Sequence, residues 1–233
     1  MMNDFRNKMA ESQRLLSPWL DPLPFDWRDL ESVGTEIHYN KHAAIFDGHE
    51  PTEHVYLVKE GRVRLYLLSD LGEEKAIAII GKNGLLGISS VFLEQEYYTS
   101  AITASPATIF RVDAGIFKRK ILENPTYSEQ LFKLISLKLL LLYQHSVDLS
   151  YGSSSYRVRQ TLSQLALTYG ESEDNVNIKI QVAFTHQELA NVIGTTRVTV
   201  ANQLKTLIDH GLISKSGNHY IIHDLARLTS FDK

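Results

Sequence analysis

The chain has 233 residues, room for one large domain or two small ones at about 100–200 residues each. Its 43% hydrophobic and 22% charged residues can build a core, which excludes disorder of the whole chain. It has no cysteine, which excludes a disulfide scaffold, a Cys-ligated iron–sulfur cluster, a Cys–zinc site and a thiol nucleophile.

No segment reaches the ~18 uninterrupted apolar residues of a membrane helix. The start, MMNDFRNKMAESQRLL, lacks the apolar core of a secretory signal. A cytoplasmic protein without membrane attachment is therefore expected. The net charge of −3 is unevenly spread. Residues 1–150 carry 16 Lys+Arg against 20 Asp+Glu, and residues 151–233 carry 8 against 7. An acidic front and a near-neutral back suggest two modules with different partners.

Residues 1–30 read as a loose lead, rich in proline and aromatics from Pro18 to Trp27, with a short helix at its end. Residues 35–112 read as many short strands. The apolar run 54–58 stops at Glu60-Gly61. Val63, Leu65 and Leu67 alternate with Arg62, Arg64 and Tyr66, as in a half-buried strand. Runs 76–80, 99–103 and 107–112 follow, separated by turn signals such as Asp70-Leu71-Gly72 and Ser105-Pro106. Short strands at this spacing indicate a β-sandwich or barrel.

Beyond residue 113 the period changes. Asp113 can cap a short helix through Leu122, and Pro125 can open a second. From Thr126 to Leu149 no Gly or Pro occurs. Leu131, Ile135, Lys138, Leu142, His145 and Leu149 form one stripe of this helix, and Leu134, Leu137, Leu141 and Gln144 another. A helix apolar on more than one face must be covered on more than one side. One face is expected to pack on the β module and the other, with Leu141 on it, on a second copy. A single buried core helix is the alternative.

Residues 151–155, Tyr-Gly-Ser-Ser-Ser, read as a joint. The next helix carries Val158, Leu162, Leu165 and Tyr169 and ends at Gly170. Residues 171–175 read as a polar loop, and Val176, Ile178, Ile180 and Val182 as a strand. Thr185-His186-Gln187-Glu188 is a capping box. Gly194 suits a left-handed turn, Thr195 or Thr196 can cap a second helix, Arg197–Asp209, and Gly211 stops it. Val200 and Leu204 face inward. With the wing predicted around Ser216-Gly217-Asn218 and Tyr220-Ile221-Ile222, this is a winged helix-turn-helix pattern.

Three stretches resemble the CRP/FNR transcription regulators: HVYLVKEGRVRLYLLSDLGEEKAIAIIGKNGLLG, the NP before the long helix, and FTHQELANVIGTTRVTVANQLKTLIDHGLIS. The resemblance covers roughly residues 35–225. It implies an α+β chain: a double-stranded β-helix (a β-roll or jelly roll) at residues 1–125, a dimerisation helix at 126–150 and a winged helix-turn-helix at 151–233. It further implies a homodimer, an effector bound between β-roll and long helix, and DNA contacts from the second helix of the helix-turn-helix. RNA polymerase is a candidate partner.

The departures from that family matter. Cyclic-AMP-binding members grip the phosphate with a Glu and an Arg-Ser pair. Ile88 takes the Glu position here, and Tyr98-Thr99 the Arg-Ser positions. A phosphate without its Arg loses a charge-assisted partner, so cAMP is not expected. Without cysteines an iron–sulfur cluster is not expected, and nothing singles out a haem ligand, so no cofactor is assigned. Candidate effector contacts are Ile88, Tyr98, Thr99, Lys138 and Leu142. Lys138, Tyr143 and His145 can equally serve register or solubility.

The recognition helix reads Arg197-Val198-Thr199-Val200-Ala201-Asn202 where many members read Arg-Glu-Thr-Val-x-Arg. Its Val-Thr-Val core is similar to the halorespiration regulators that sense chlorinated phenols. Gln203 stands where the family usually buries an aliphatic residue. Candidate DNA contacts are Thr196, Arg197, Val198, Thr199, Asn202 and the wing residue Lys215. Arg197 can read guanine, Val198 a thymine methyl, and Asn202 adenine. An A·T-rich inverted repeat is therefore expected. Thr196 and Thr199 can instead be cap and surface residues.

The expected function is an effector-controlled DNA-binding regulator without enzymatic activity. The alternatives are a β-roll sensor acting by protein–protein contact, and a cupin-type metalloenzyme built on His38, His42, His49 and His54. The latter lack the H-x-H pair and following Glu of a cupin site.

Overall fold

The computed structural model describes residues 18–172 and 177–231. Val176 and the lead up to Ser17 lie outside the described residues. Two compact units divide inside one long helix, the first running from Pro18 to Leu139 and the second from Leu140 onward.

The elements of the first unit are, in order, β1 (Trp19–Leu20), α1 (Arg28–Val33), β2 (Thr35–Tyr39), β3 (Ala44–Phe46), β4 (His54–Glu60), β5 (Val63–Leu68), β6 (Glu74–Ile80), β7 (Leu85–Leu86), α2 (Ile88–Leu93), β8 (Ser100–Thr103), β9 (Ala107–Asp113), α3 (Ala114–Glu123) and the start of α4 (Pro125–Tyr151). The strands form two sheets, ordered β1-β6-β5-β8-β3 and β2-β9-β4-β7. Strand β5 buries Val63 and Leu65 and turns Arg64 and Tyr66 outward, the alternation of a sheet with one covered face. Strand β4 instead buries Val55, Tyr56, Leu57 and Val58 in succession. Its sheet is covered on both sides, by the other sheet and by α1 and α3, which pack on β9 and on each other. Gly61, at φ +81°, makes the β4–β5 turn, where a Cβ would strike the Pro106 carbonyl.

Residues 18–27, expected to be loose, are fixed. Trp19, Leu20, Leu23, Phe25 and Trp27 are buried, and β1 pairs in parallel with β6. The Trp27 indole donates to the Asn83 carbonyl at 2.9 Å, and its ring lies 5.6 Å from that of Tyr127 on α4. Asp26 and Gln130 exchange two hydrogen bonds, of 2.7 and 3.1 Å. Prolines signal a loop, but the aromatic residues between them find tertiary partners.

Helix α4 starts at Pro125 as expected, with the Asn124 carboxamide accepting from the Thr126 amide at 3.0 Å. Its inner stripe is Tyr127, Leu131, Leu134 and Leu141. Phe132, Leu139 and Tyr143 lie on the opposite side and are exposed. The assignment of Leu141 to a partner-facing surface is corrected: it is 4% exposed within the single chain, on the same side of the helix as buried Leu134 at 3.6 residues per turn.

In the second unit, only Gly152 and Ser153 separate α4 from α5 (Ser154–Tyr169). The Ser153 hydroxyl caps α5 by accepting from the Tyr156 amide at 3.1 Å. Gly170 ends α5, but 170–172 is not loop. It forms β10 (Gly170–Ser172), paired with β11 (Ile178–Ile180). The remaining elements are α6 (His186–Ile193), α7 (Arg197–Asp209), β12 (Ile213–Ser216), β13 (His219–Ile222) and α8 (Leu225–Ser230). The sheet order β10-β11-β13-β12 adds a hairpin to the expected wing.

Candidate DNA-binding and effector sites

Helix α6 opens on the complete capping box. The Thr185 hydroxyl accepts from the Glu188 amide at 3.1 Å, and the Glu188 carboxylate from the Thr185 amide at 2.7 Å. Gly194, at φ +67°, ends α6 in the left-handed region, and Thr196 caps α7 by accepting from the Thr199 amide at 3.1 Å. The two threonine hydroxyls also share a hydrogen bond of 2.9 Å. Helix α7 seats on Val200, Leu204 and Leu207, all buried. Leu207 completes the stripe that Gln203, half-buried, leaves open.

Arg197, Val198 and Asn202 are exposed on α7 and Thr199 is half-buried. Val198 is 68% exposed. Lys215 on β12 is exposed, with its ammonium 6.0 Å from the Tyr220 ring centre. The sequence-predicted DNA contacts therefore share one unit and lie at or near its surface.

Two residues escaped sequence reasoning. The Arg157 guanidinium donates to the carbonyls of Gly152, at 2.7 Å, and Gly194, at 3.2 Å, tying the joint to the helix-turn-helix turn. His186, first residue of α6, shares a 3.1 Å hydrogen bond with the Tyr220 hydroxyl. Its only sequence signal is its place after the N-cap.

The predicted effector residues are less uniform. Ile88 is buried in the core at the start of α2. The Tyr98 amide donates to the Ser90 hydroxyl at 3.3 Å, so 88–90 and 98 meet, but the Tyr98 side chain is 68% exposed. Thr99 is half-buried and Leu142 exposed. Inside the roll, Phe46 stacks on Tyr56 at 5.4 Å and on Tyr97 at 4.1 Å. A Cβ on Gly87 would come within 2.9 Å of the Tyr97 ring. The Lys138 ammonium donates to the Leu85 carbonyl at 2.9 Å, and burial pulls its pKa down to about 8. An open groove of about 560 Å³ beside Ser90 is rimmed by Glu94, Glu96 and Lys118, with Lys118 paired to Glu94 at 2.7 Å.

The histidines considered for a metal do not converge. His38 bonds Thr108 at 3.2 Å, and His49 faces Glu96 at 3.8 Å. Among the described residues no group of three or more His, Asp or Glu could hold a metal ion.

Comparison with known proteins agrees with this architecture. The cyclic nucleotide-binding domain model matches residues 36–124 and the Crp-like helix-turn-helix domain model residues 156–231. The "Probable transcriptional regulator flp" of Lacticaseibacillus casei is 30% identical over 184 residues, 76% of this chain and 78% of that protein. The "CRP-like cAMP-activated global transcriptional regulator" of Mycobacterium tuberculosis is 26% identical over 192 residues, 82% of this chain and 85% of that protein. The structure of FixK2 from Bradyrhizobium japonicum covers 86% of this chain and 98% of its own, with a TM-score of 0.76 at 21% identity. A cyclic nucleotide-binding domain match is thus followed by a Crp-like helix-turn-helix match along one chain, and the chain belongs to the CRP/FNR family of transcription regulators.

Proposed function

We propose that the chain is a dimeric, effector-controlled regulator that reads an A·T-rich inverted repeat through α7. The observation that carries this reading is the exposure of Arg197, Val198 and Asn202 on a capped helix seated by Val200, Leu204 and Leu207. Arg197 reads guanine or holds a phosphate, Val198 covers a thymine methyl, and Asn202 pairs with adenine. Thr196, Thr199 and Lys215 hold phosphates, which position the helix without specifying sequence. RNA polymerase is proposed as a further partner and the cytoplasm as the location. No enzymatic step is assigned.

Loss of Asn202 tests the assignment. Asn202→Ala is expected to cost about 1–3 kcal/mol of binding and to relax preference at one base pair. Fluorescence anisotropy against duplexes varied at each position reads both effects. A uniform loss across all sequences would move Asn202 to the phosphate contacts.

The second copy is proposed to pack along the outer face of α4, on Phe132, Leu139 and Tyr143. The effector is proposed to bind where the roll meets the start of α4, with Ile88, Tyr98, Thr99 and Lys138 as candidate contacts. It acts by biasing the joint at 152–153, and only a ligand with different affinity for the two states can do so. A flat, apolar molecule suits these residues better than a nucleotide. Although the mycobacterial relative carries cAMP activation in its name, no Arg takes the phosphate-gripping position here, and stacked aromatics fill the roll beside Gly87. Calorimetry with millimolar cAMP is expected to register no binding, and micromolar affinity would contradict this.

A further inference from the structure

His186 stands where four elements of the DNA-binding unit meet. It is the first residue of α6 and half-buried. From β13, the Tyr220 hydroxyl shares a 3.1 Å hydrogen bond with its Nε2, while Phe184 stacks on Tyr220 at 5.4 Å and fixes that ring. From β12 comes Lys215, whose ammonium lies over the same ring. From α7 comes Arg197, whose charge, with that of Lys215, bears on the imidazole. On its own helix, Glu188 is the nearest acid in sequence, and its carboxylate is engaged by the Thr185 amide. His219, next to Tyr220, points to the other face of the wing by strand alternation. The Nδ1 of His186 makes no hydrogen bond among the described residues.

Burial first, then Lys215 and Arg197, lower the His186 pKa below its ordinary 6.5, so the free protein carries a neutral ring at neutral pH. A phosphate brought to this corner would reverse the balance. It neutralises the two cations that oppose protonation and adds an anion of its own. The start of α6 adds aligned amides that favour the same anion.

We propose that His186 contacts a DNA phosphate in its protonated form, so that complex formation takes up one proton per protomer at this residue. This rests on the DNA-binding reading above. In the complex, Nε2–H donates to the Tyr220 oxygen and Nδ1–H to a phosphate oxygen, with the proton drawn from solvent. The sign follows by linkage. The free ring titrates below its ordinary value and the bound ring above it. Affinity therefore rises as pH falls between the two, by up to about tenfold per pH unit for each protomer, and levels off on either side.

The test uses the full chain and a random-sequence duplex of about 30 base pairs, since phosphate contacts carry no sequence information. Calorimetry near neutral pH in two buffers of different ionisation enthalpy counts the protons taken up. Uptake should fall by about one per protomer in His186→Gln. The His186 ring resonance, assigned by its absence in that variant, should titrate at higher pH in the complex than in the free protein. Lys215→Gln should raise the free midpoint. Equal uptake in wild type and His186→Gln, or an unmoved midpoint on DNA, would overturn the proposal while leaving DNA binding intact. Absence of binding at every pH would overturn the DNA-binding reading and this one with it.

Discussion

Leu139→Glu and Leu141→Glu, two positions apart on α4, are expected to fail in opposite ways. Leu141 is 4% exposed, so a glutamate there loses apolar burial and forces a carboxylate out of water. The expected cost is about 3–5 kcal/mol, a large part of the ~5–15 kcal/mol that holds a typical domain together. Leu139 is 45% exposed in the single chain, so glutamate there should change the fold's stability by no more than about 0.5 kcal/mol. Beside Phe132 and Tyr143 it should instead place a charge in the interface between two copies. Light scattering and thermal melts separate the outcomes: a folded monomer for Leu139→Glu, a destabilised chain for Leu141→Glu. A Leu139→Glu protein that remains dimeric would remove α4's outer face from the dimer contact.

Lys138→Met is expected to stabilise the protein at neutral pH. Among the described residues Lys138 has one hydrogen-bond acceptor, the Leu85 carbonyl, and its pKa is about 8 against an ordinary 10.5. That displacement, at about 1.4 kcal/mol per pH unit, is a penalty of about 3 kcal/mol for holding the charge. Removing the donor from Leu85 offsets about 1–2 kcal/mol of that. A net gain of about 1–2 kcal/mol, several degrees in melting temperature, should remain. Since the folded pKa lies below the unfolded one, the penalty is complete below about pH 8 and fades as pH rises toward 10.5. The advantage of Met should therefore shrink in alkaline melts. A loss of stability in Lys138→Met at neutral pH would contradict this account.

The DNA-binding unit was readable wherever a local signal sufficed. Thr185 with Glu188, Thr196 and Gly194 each act through backbone groups within four residues, so spacing alone placed the capping box and the turn and narrowed the second cap to Thr195 or Thr196. Ile88 in the core and Tyr98 in solvent were not readable, because strand β8 begins only at Ser100 and residues 94–99 have no period. The fixing of Trp19 to Trp27 depends on Asn83 and Tyr127, partners far along the chain. Leu141 was misassigned for a different reason. With leucines at 139, 140, 141 and 142, every face of α4 is apolar, and only burial distinguishes the inner side. Arg157 and His186 act on groups remote in sequence, Gly194 and Tyr220, which no periodicity reports.

Exposed Val198 and Asn202, with Arg197, are proposed to make α7 a reader of A·T-rich half-sites in a symmetric dimer. Selection from random duplex DNA with the full chain tests it most directly. The expected result is recovery of an inverted repeat with A·T-rich half-sites about one helical turn apart, whose adenine preference is lost at one position per half-site in Asn202→Ala. Recovery of G·C-rich half-sites, or of sequences without an inverted repeat, would contradict it.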